Sequence, residues 1–187
     1  MTAGLPLPFA DDRILLNLAA YWSARRVEDA LPLRGTIDPL DMPRRLLPFL
    51  VLAEPAGTGR VMRFRLVGTE LVQRFHRDAT GKTTAEIYSG AYRDYMEQLY
   101  ATVIETGQPL YAESTQRWPE EGMSRVRRLL LPVAADADAA RVAFVLGAVT
   151  WSVSAGPGKQ PEPQRIPIQA LEKGVLQATF RGMLDAL

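Results

Sequence analysis

Thr80-Gly81-Lys82-Thr83 ends as a phosphate-binding loop ends, with a lysine placed to reach a terminal phosphate. Such a loop also needs a glycine five residues before Gly81. His76 stands there, after residues patterned as helix rather than strand. The stretch therefore reads as a tight turn, with Gly81 supplying a conformation that Cβ-bearing residues resist and Asp78 capping it. His76 is the single histidine and reads as a surface group at a helix end. Glu113, Glu120 and Glu121 have no histidine partner and no second carboxylate at motif spacing. Metal sites and acid–base pairs need converging groups, so neither is expected. Arg125, Arg127 and Arg128 form the densest basic cluster. On a strand, Arg125 and Arg127 share a face with Leu129, and Arg128 shares the other with Val126 and Leu130. The cluster reads as solvated edge charge, with a patch for a partner or anionic ligand as the alternative.

Composition narrows the chemistry further. The 187 residues contain no cysteine, which excludes disulfides, thiolate nucleophiles, iron–sulfur clusters and cysteine-bound zinc. With 22 basic and 21 acidic residues the net charge is +1, and no basic stripe points to nucleic acid. Hydrophobic residues make up 47%, enough for a sizeable core in one domain with extensions. Met1 to Phe9 is short, lacks a basic n-region and carries Pro6 and Pro8, so a signal peptide is not expected. No apolar run approaches the roughly 18 residues of a membrane span. A cytoplasmic protein is expected.

These residues must be held by elements that the periodicity reveals. Asp11-Asp12 precede Ile14, Leu15, Leu18, Tyr21 and Trp22, a helical spacing that predicts about four turns closing on Arg25-Arg26. Asp38-Pro39 predicts a short helix ending near Pro48. Phe49–Glu54 and Arg60–Val67 read as a hairpin, with Met62, Phe64 and Leu66 on one face. Thr69 opens a helix to Phe75. Ala91–Thr106 is the strongest helix, capped by Gly107. Strands follow at about Pro109–Arg117, Arg125–Val133 and Arg141–Val153. The organisation is an N-terminal helical extension (11–48), a core (49–153), a Gly/Pro-rich linker (154–167) and a C-terminal amphipathic helix (168–187) built on Leu171, Leu176, Phe180 and Met183. The fold class is α+β, a five-stranded antiparallel sheet with helices on one face and flanking helices at both ends.

Element order and motifs together resemble the PAS domain. The details are similar to a short bacterial PAS family: Trp22 with Arg25-Arg26; Pro32-Leu33-Arg34-Gly35-Thr36-Ile37-Asp38-Pro39; Phe64-Arg65-Leu66-Val67-Gly68-Thr69; Arg77-Asp78-Ala79-Thr80-Gly81; and Gly107-Gln108-Pro109. Ala79 stands where a larger apolar residue is more usual. The resemblance covers about Leu15 to Val153 and carries over no catalytic residue. It implies a stand-alone sensory or adaptor module in bacterial signalling, without intrinsic catalysis, that binds a protein partner and possibly a small ligand. With the sheet assigned, no kinase, cyclase or helix-turn-helix output domain is expected. The alternative is a small-molecule enzyme or carrier using the concave sheet.

The resemblance also locates candidate sites. A PAS ligand cavity lies between the inner sheet face and the helices after the second strand, which makes Phe64, Leu66, Thr69, Phe75, Ile87, Tyr95, Leu99 and Trp151 the candidate walls, with Tyr95 and Thr69 as polar donors. Simple core filling is the competing reading. Haem is not expected, because the helix from Ala91 to Thr106 offers no axial histidine, and a covalent cysteinyl-flavin is excluded with cysteine. Any other cofactor stays open. Leu15, Leu18 and Trp22 need a surface to bury them. Either they cap the outer face of their own sheet, or they pair with a second copy. PAS precedent favours the second, a homodimer formed through the N-terminal helix.

Overall fold

Asp12 sets the first element. Its carboxylate accepts from the amides of Ile14 and Leu15 at 3.0 and 3.1 Å, which satisfies two of the donors that a helix start leaves unpaired. Helix α1 follows, Arg13–Ser23, about three turns rather than four; Arg25 and Arg26 lie beyond its cap at Ala24. The computed structural model describes residues 7–118, 122–136, 138–153 and 176–185. After α1 the sequence predicts one short helix, but the chain makes three separate 3-10 turns at Arg34–Thr36, Pro39–Asp41 and Leu47–Phe49. Pro43 and Pro48 lack the amides that a continuous helix would need.

Strands β1 (Leu50–Pro55) and β2 (Met62–Val67) form the expected hairpin. Three helices follow: α2 (Thr69–Phe75), α3 (Thr84–Ile87) and α4 (Gly90–Thr106). Then come β3 (Leu110–Trp118), β4 (Gly122–Ala135) and β5 (Asp138–Val153). These five strands pair antiparallel in the order β2-β1-β5-β4-β3. Placing β5 in the centre puts its Val145 and Val149 on one face and Leu146 and Ala148 on the other.

The C-terminal helix expected over 168–187 is corrected where the chain is described. Leu176–Asp185 is a strand, β6, that adds to the free edge of β3 in parallel. An edge strand exposes unpaired backbone groups, and pairing satisfies them. Apolar residues at 176, 178, 180 and 183 fit either period. Gly182, a poor helix residue, falls where the β3–β6 register skips between Glu113 and Thr115. The linker expected at 154–167, and residues 168–175, lie outside the described residues.

Both sheet faces are covered. On the inner face α2, α3 and α4 pack over Val51, Phe64, Leu110, Val126, Leu130 and Val145. On the outer face α1 and the 3-10 turns pack over Leu52, Tyr111, Leu129, Leu131, Val133 and Leu146. Leu15, Leu18 and Trp22 are 0, 0 and 2% exposed within the single chain, and the Trp22 indole donates to the Pro132 carbonyl at 2.7 Å. The expectation that these three side chains form a dimer interface is thereby corrected: the chain's own sheet buries them. Arg127 anchors the start of the helix, its guanidinium 3.0 Å from Asp11, while the Thr150 hydroxyl donates to Asp12 at 2.6 Å.

Candidate functional site

The sequence motifs turn out to be fasteners around one cavity. Gly68 sits so close to the preceding turn that a Cβ would lie 2.2 Å from the Pro48 carbonyl oxygen, fixing where α2 starts. After α2, His76 takes a left-handed conformation at φ 49° and is exposed. Asp78 accepts from the Thr80 amide at 2.8 Å, which holds its carboxyl below the usual range. Gly81, at φ +80°, donates to the Phe64 carbonyl at 2.7 Å, while the Phe64 amide donates to the Lys82 carbonyl at 2.9 Å. The turn with phosphate-loop lettering is thus a clasp tying the chain after α2 to β2. Thr83 and Glu86 then form a capping box at the start of α3, a start signal that the sequence reading missed.

The clasp, α2–α4 and the inner sheet face enclose an apolar cavity of about 50 Å³. Of the candidate walls, Phe64, Phe75 and Ile87 line it. Leu66 does not, because the register shifts between Leu52 and Ala53: Leu52 faces Leu66 and Ala53 faces Phe64, leaving Arg65 as an extra residue. A bulge of this kind reverses the alternation beyond it. Leu66 therefore packs on the outer face, and Val67 takes the inner position. Thr69 is the first residue of α2 and is exposed, so it is no donor to the cavity. Leu99 is 3% exposed within the inner core, beside the cavity rather than on its wall. Trp151 packs at the rim of that core, 5.8 Å from the Phe49 ring. Tyr95 packs against the same core, its ring centroid 5.9 Å from the Arg128 guanidinium.

The polar groups of the cavity come from residues outside the candidate set. Arg128 reaches the lining from β4 and is 1% exposed. It donates to Ser114 Oγ at 2.7 Å and to the Tyr92 hydroxyl at 3.2 Å, and Gln116 donates to the same hydroxyl at 3.0 Å. Tyr88, Tyr92 and Tyr100 add hydroxyl-bearing rings to the lining, and Tyr88 meets Tyr92 edge-on at 4.9 Å. Burial works against the Arg128 charge, but the surrounding Tyr92, Tyr95 and Tyr88 favour it more, so the guanidinium is held charged. The same burial pushes the hydroxyls of Tyr88, Tyr95 and Tyr100 above their ordinary range. One signal for Arg128 was present in the sequence: strand alternation puts it on the apolar face with Val126 and Leu130. The basic cluster is accordingly not one patch. Arg125 forks onto Glu113 at 2.6 Å, Arg127 holds Asp11, and Arg128 goes inward.

Among the described residues no group of three or more histidines and carboxylates is placed to hold a metal ion. Nor is any of their helices long and apolar enough to cross a membrane. A five-stranded antiparallel sheet in this order, with helices bridging its second and third strands over a cavity, has the architecture of a PAS domain. A family model described as a PAS domain matches residues 11–150, and the chain belongs to that family. The matched range takes in α1, so the helix on the outer face is part of the family pattern. A search of curated proteins returned no match. PAS domains are in general sensory and signalling modules.

Proposed function

We propose that the inner-face cavity is the input site of this PAS module. A small ligand held there changes how α2–α4 pack on the sheet, and a protein partner reads that change at the surface. The supporting observation is the composition of the cavity: an apolar enclosure onto which a few polar groups, Arg128 with Tyr92 and Ser114, converge. That composition is usual for a small-molecule site; at about 50 Å³ the cavity is small, so a ligand of more than a few heavy atoms enters only as α2–α4 move outward from the sheet. Ala79 adds to it, since its small side chain lines the cavity and leaves that volume unfilled. The reading includes no catalysis: among the described residues, none that line the cavity pair a nucleophile with a base.

Pairing of two copies through α1 is not part of this proposal, since Leu15, Leu18 and Trp22 are already buried. Native mass spectrometry of the purified protein tests the reading. Wild type should carry a small-molecule mass excess that is lost on denaturation, and Ala79→Leu, which fills the cavity, should lack it. An excess retained unchanged in Ala79→Leu would place the ligand elsewhere. Turnover of the retained molecule by the protein would favour an enzyme built on the same cavity.

A further inference from the structure

Among the described residues, two cations and no carboxylate line the cavity: Arg128 on the sheet side and Arg77 between α2 and α3. Arg77 has its own anchor, donating to the Ile87 carbonyl at 3.0 Å. Arg128 is placed differently. The other two arginines of the β4 cluster hold carboxylates, Arg125 with Glu113 and Arg127 with Asp11. Among the described residues, no carboxylate forms an ion pair with Arg128. Its hydrogen bonds go to two neutral hydroxyls, and the face of Tyr95 offers a weaker cation–π contact. A buried charge carries a desolvation cost that an opposite charge normally offsets. A chain that needed only packing at this position would be served as well by methionine or leucine.

We infer that the cavity is a receptor for a small organic acid, whose carboxylate takes the place of the missing counter-charge on Arg128. The guanidinium and the Tyr92 hydroxyl would donate to the carboxylate, and the apolar body would lie against Phe64, Phe75, Ile87 and Val149. A monocarboxylate fits better than a phosphate. A phosphate offers three or more oxygens to be satisfied, and most of this lining has no polar atom to give. The inference rests on the cavity being a ligand site and adds the chemical class of the ligand.

Thermal unfolding at fixed ionic strength, with acetate, butyrate, hexanoate and benzoate each beside its neutral amide, tests it. At concentrations well above Kd, a bound ligand raises Tm by several degrees. The expected result is a rise with at least one of the longer acids, none with its amide, and loss of the rise in Arg128→Met. Methionine replaces the buried ion with apolar volume, a change that proteins often tolerate; circular dichroism verifies that the variant folds. Ala79→Leu should lose the response with Arg128 intact. Equal rises with acid and amide would overturn the carboxylate assignment and leave the cavity as a ligand site. An undiminished acid response in Arg128→Met would also overturn it, by placing the anion elsewhere. No response to any probe would overturn the assignment for acids of this size; should wild type still retain a molecule that Ala79→Leu does not, the ligand reading would survive it.

Discussion

Trp22 shows how much one side chain carries in this chain. Its ring is buried on the outer sheet face, its indole satisfies the Pro132 carbonyl, and Arg26 stacks over it at 5.3 Å. Trp22→Ala should cost about 3–5 kcal/mol, and it leaves a buried carbonyl without its donor. Urea denaturation checks this, and a loss under ~1 kcal/mol would mean α1 is not docked as described. Gly68 acts through the absence of a side chain. With a Cβ 2.2 Å from backbone oxygen, Gly68→Ala should destabilise by about 1–3 kcal/mol, and an alanine variant as stable as wild type would refute that close approach. Residue types alone made Trp22 and Gly68 visible as motif members. They did not show the work each does, because the partners, Pro132 and Pro48, depend on how the chain folds back.

At the scale of elements, α3 and α4 are latched together through Glu97. It accepts from Thr84 Oγ1 at 2.7 Å and from Arg93 Nε at 2.9 Å, and Thr84 in turn accepts from the Met62 amide at 3.2 Å. Burial works to raise the Glu97 carboxyl, but the bonds from Thr84 and Arg93 outweigh it and leave it lowered from 4.5. A carboxyl lowered in the folded state adds stability that is complete above its unfolded value and is lost as pH falls through the folded one. Stability should therefore decline below about pH 4.5, and Glu97→Gln should flatten that part of the profile. Urea midpoints taken between about pH 6 and pH 3 measure it; identical acid slopes in the two proteins would show that the latch contributes nothing.

Elements were also where the sequence was most and least legible. Alternation and helical spacing located α2, α4 and the strands β1 to β5 to within a few residues, because each buries one face against a core. The bulge at Arg65 was invisible, since one inserted residue leaves composition unchanged while reversing Leu66 and Val67. The same ambiguity hid β6. Apolar spacing from Leu176 onward suits a helix in isolation, and only the free edge of β3 selects a strand.

For the whole molecule, one sheet separates two cores with different duties. The outer core, under α1, is tied down by the Trp22, Arg127 and Thr150 contacts. The inner core holds the cavity, the buried arginine and four tyrosines. Three of the eight candidate walls line the cavity, because the family pattern indicates which face to search but not how a bulge and a helix start turn individual side chains. Alternation places Arg128 on the face of Val126 and Leu130, but residue type alone favours solvated edge charge, since most arginines on strands are solvated. The high position of the inner tyrosine hydroxyls adds an alkaline limit. A hydroxyl raised in the folded state contributes stability that is complete below its unfolded value, 10.0, and is lost as pH rises toward the folded one. Unfolding above about pH 10, followed by tyrosine absorbance, should coincide with loss of helical signal; ionisation of every tyrosine at its ordinary pH with the fold intact would contradict this.

The account stands or falls on the inner cavity being where a ligand enters. Methyl-resolved NMR of the full chain during titration with hexanoate reads that directly, because the two cores supply their own control. Methyls of Leu71, Ile87 and Val149 line the cavity, whereas those of Leu15, Leu131 and Leu146 lie across the sheet. The account predicts saturable shifts confined to the first set in wild type and absent in Ala79→Leu. Shifts centred on the outer set, or saturable binding that leaves the cavity methyls unmoved, would contradict it.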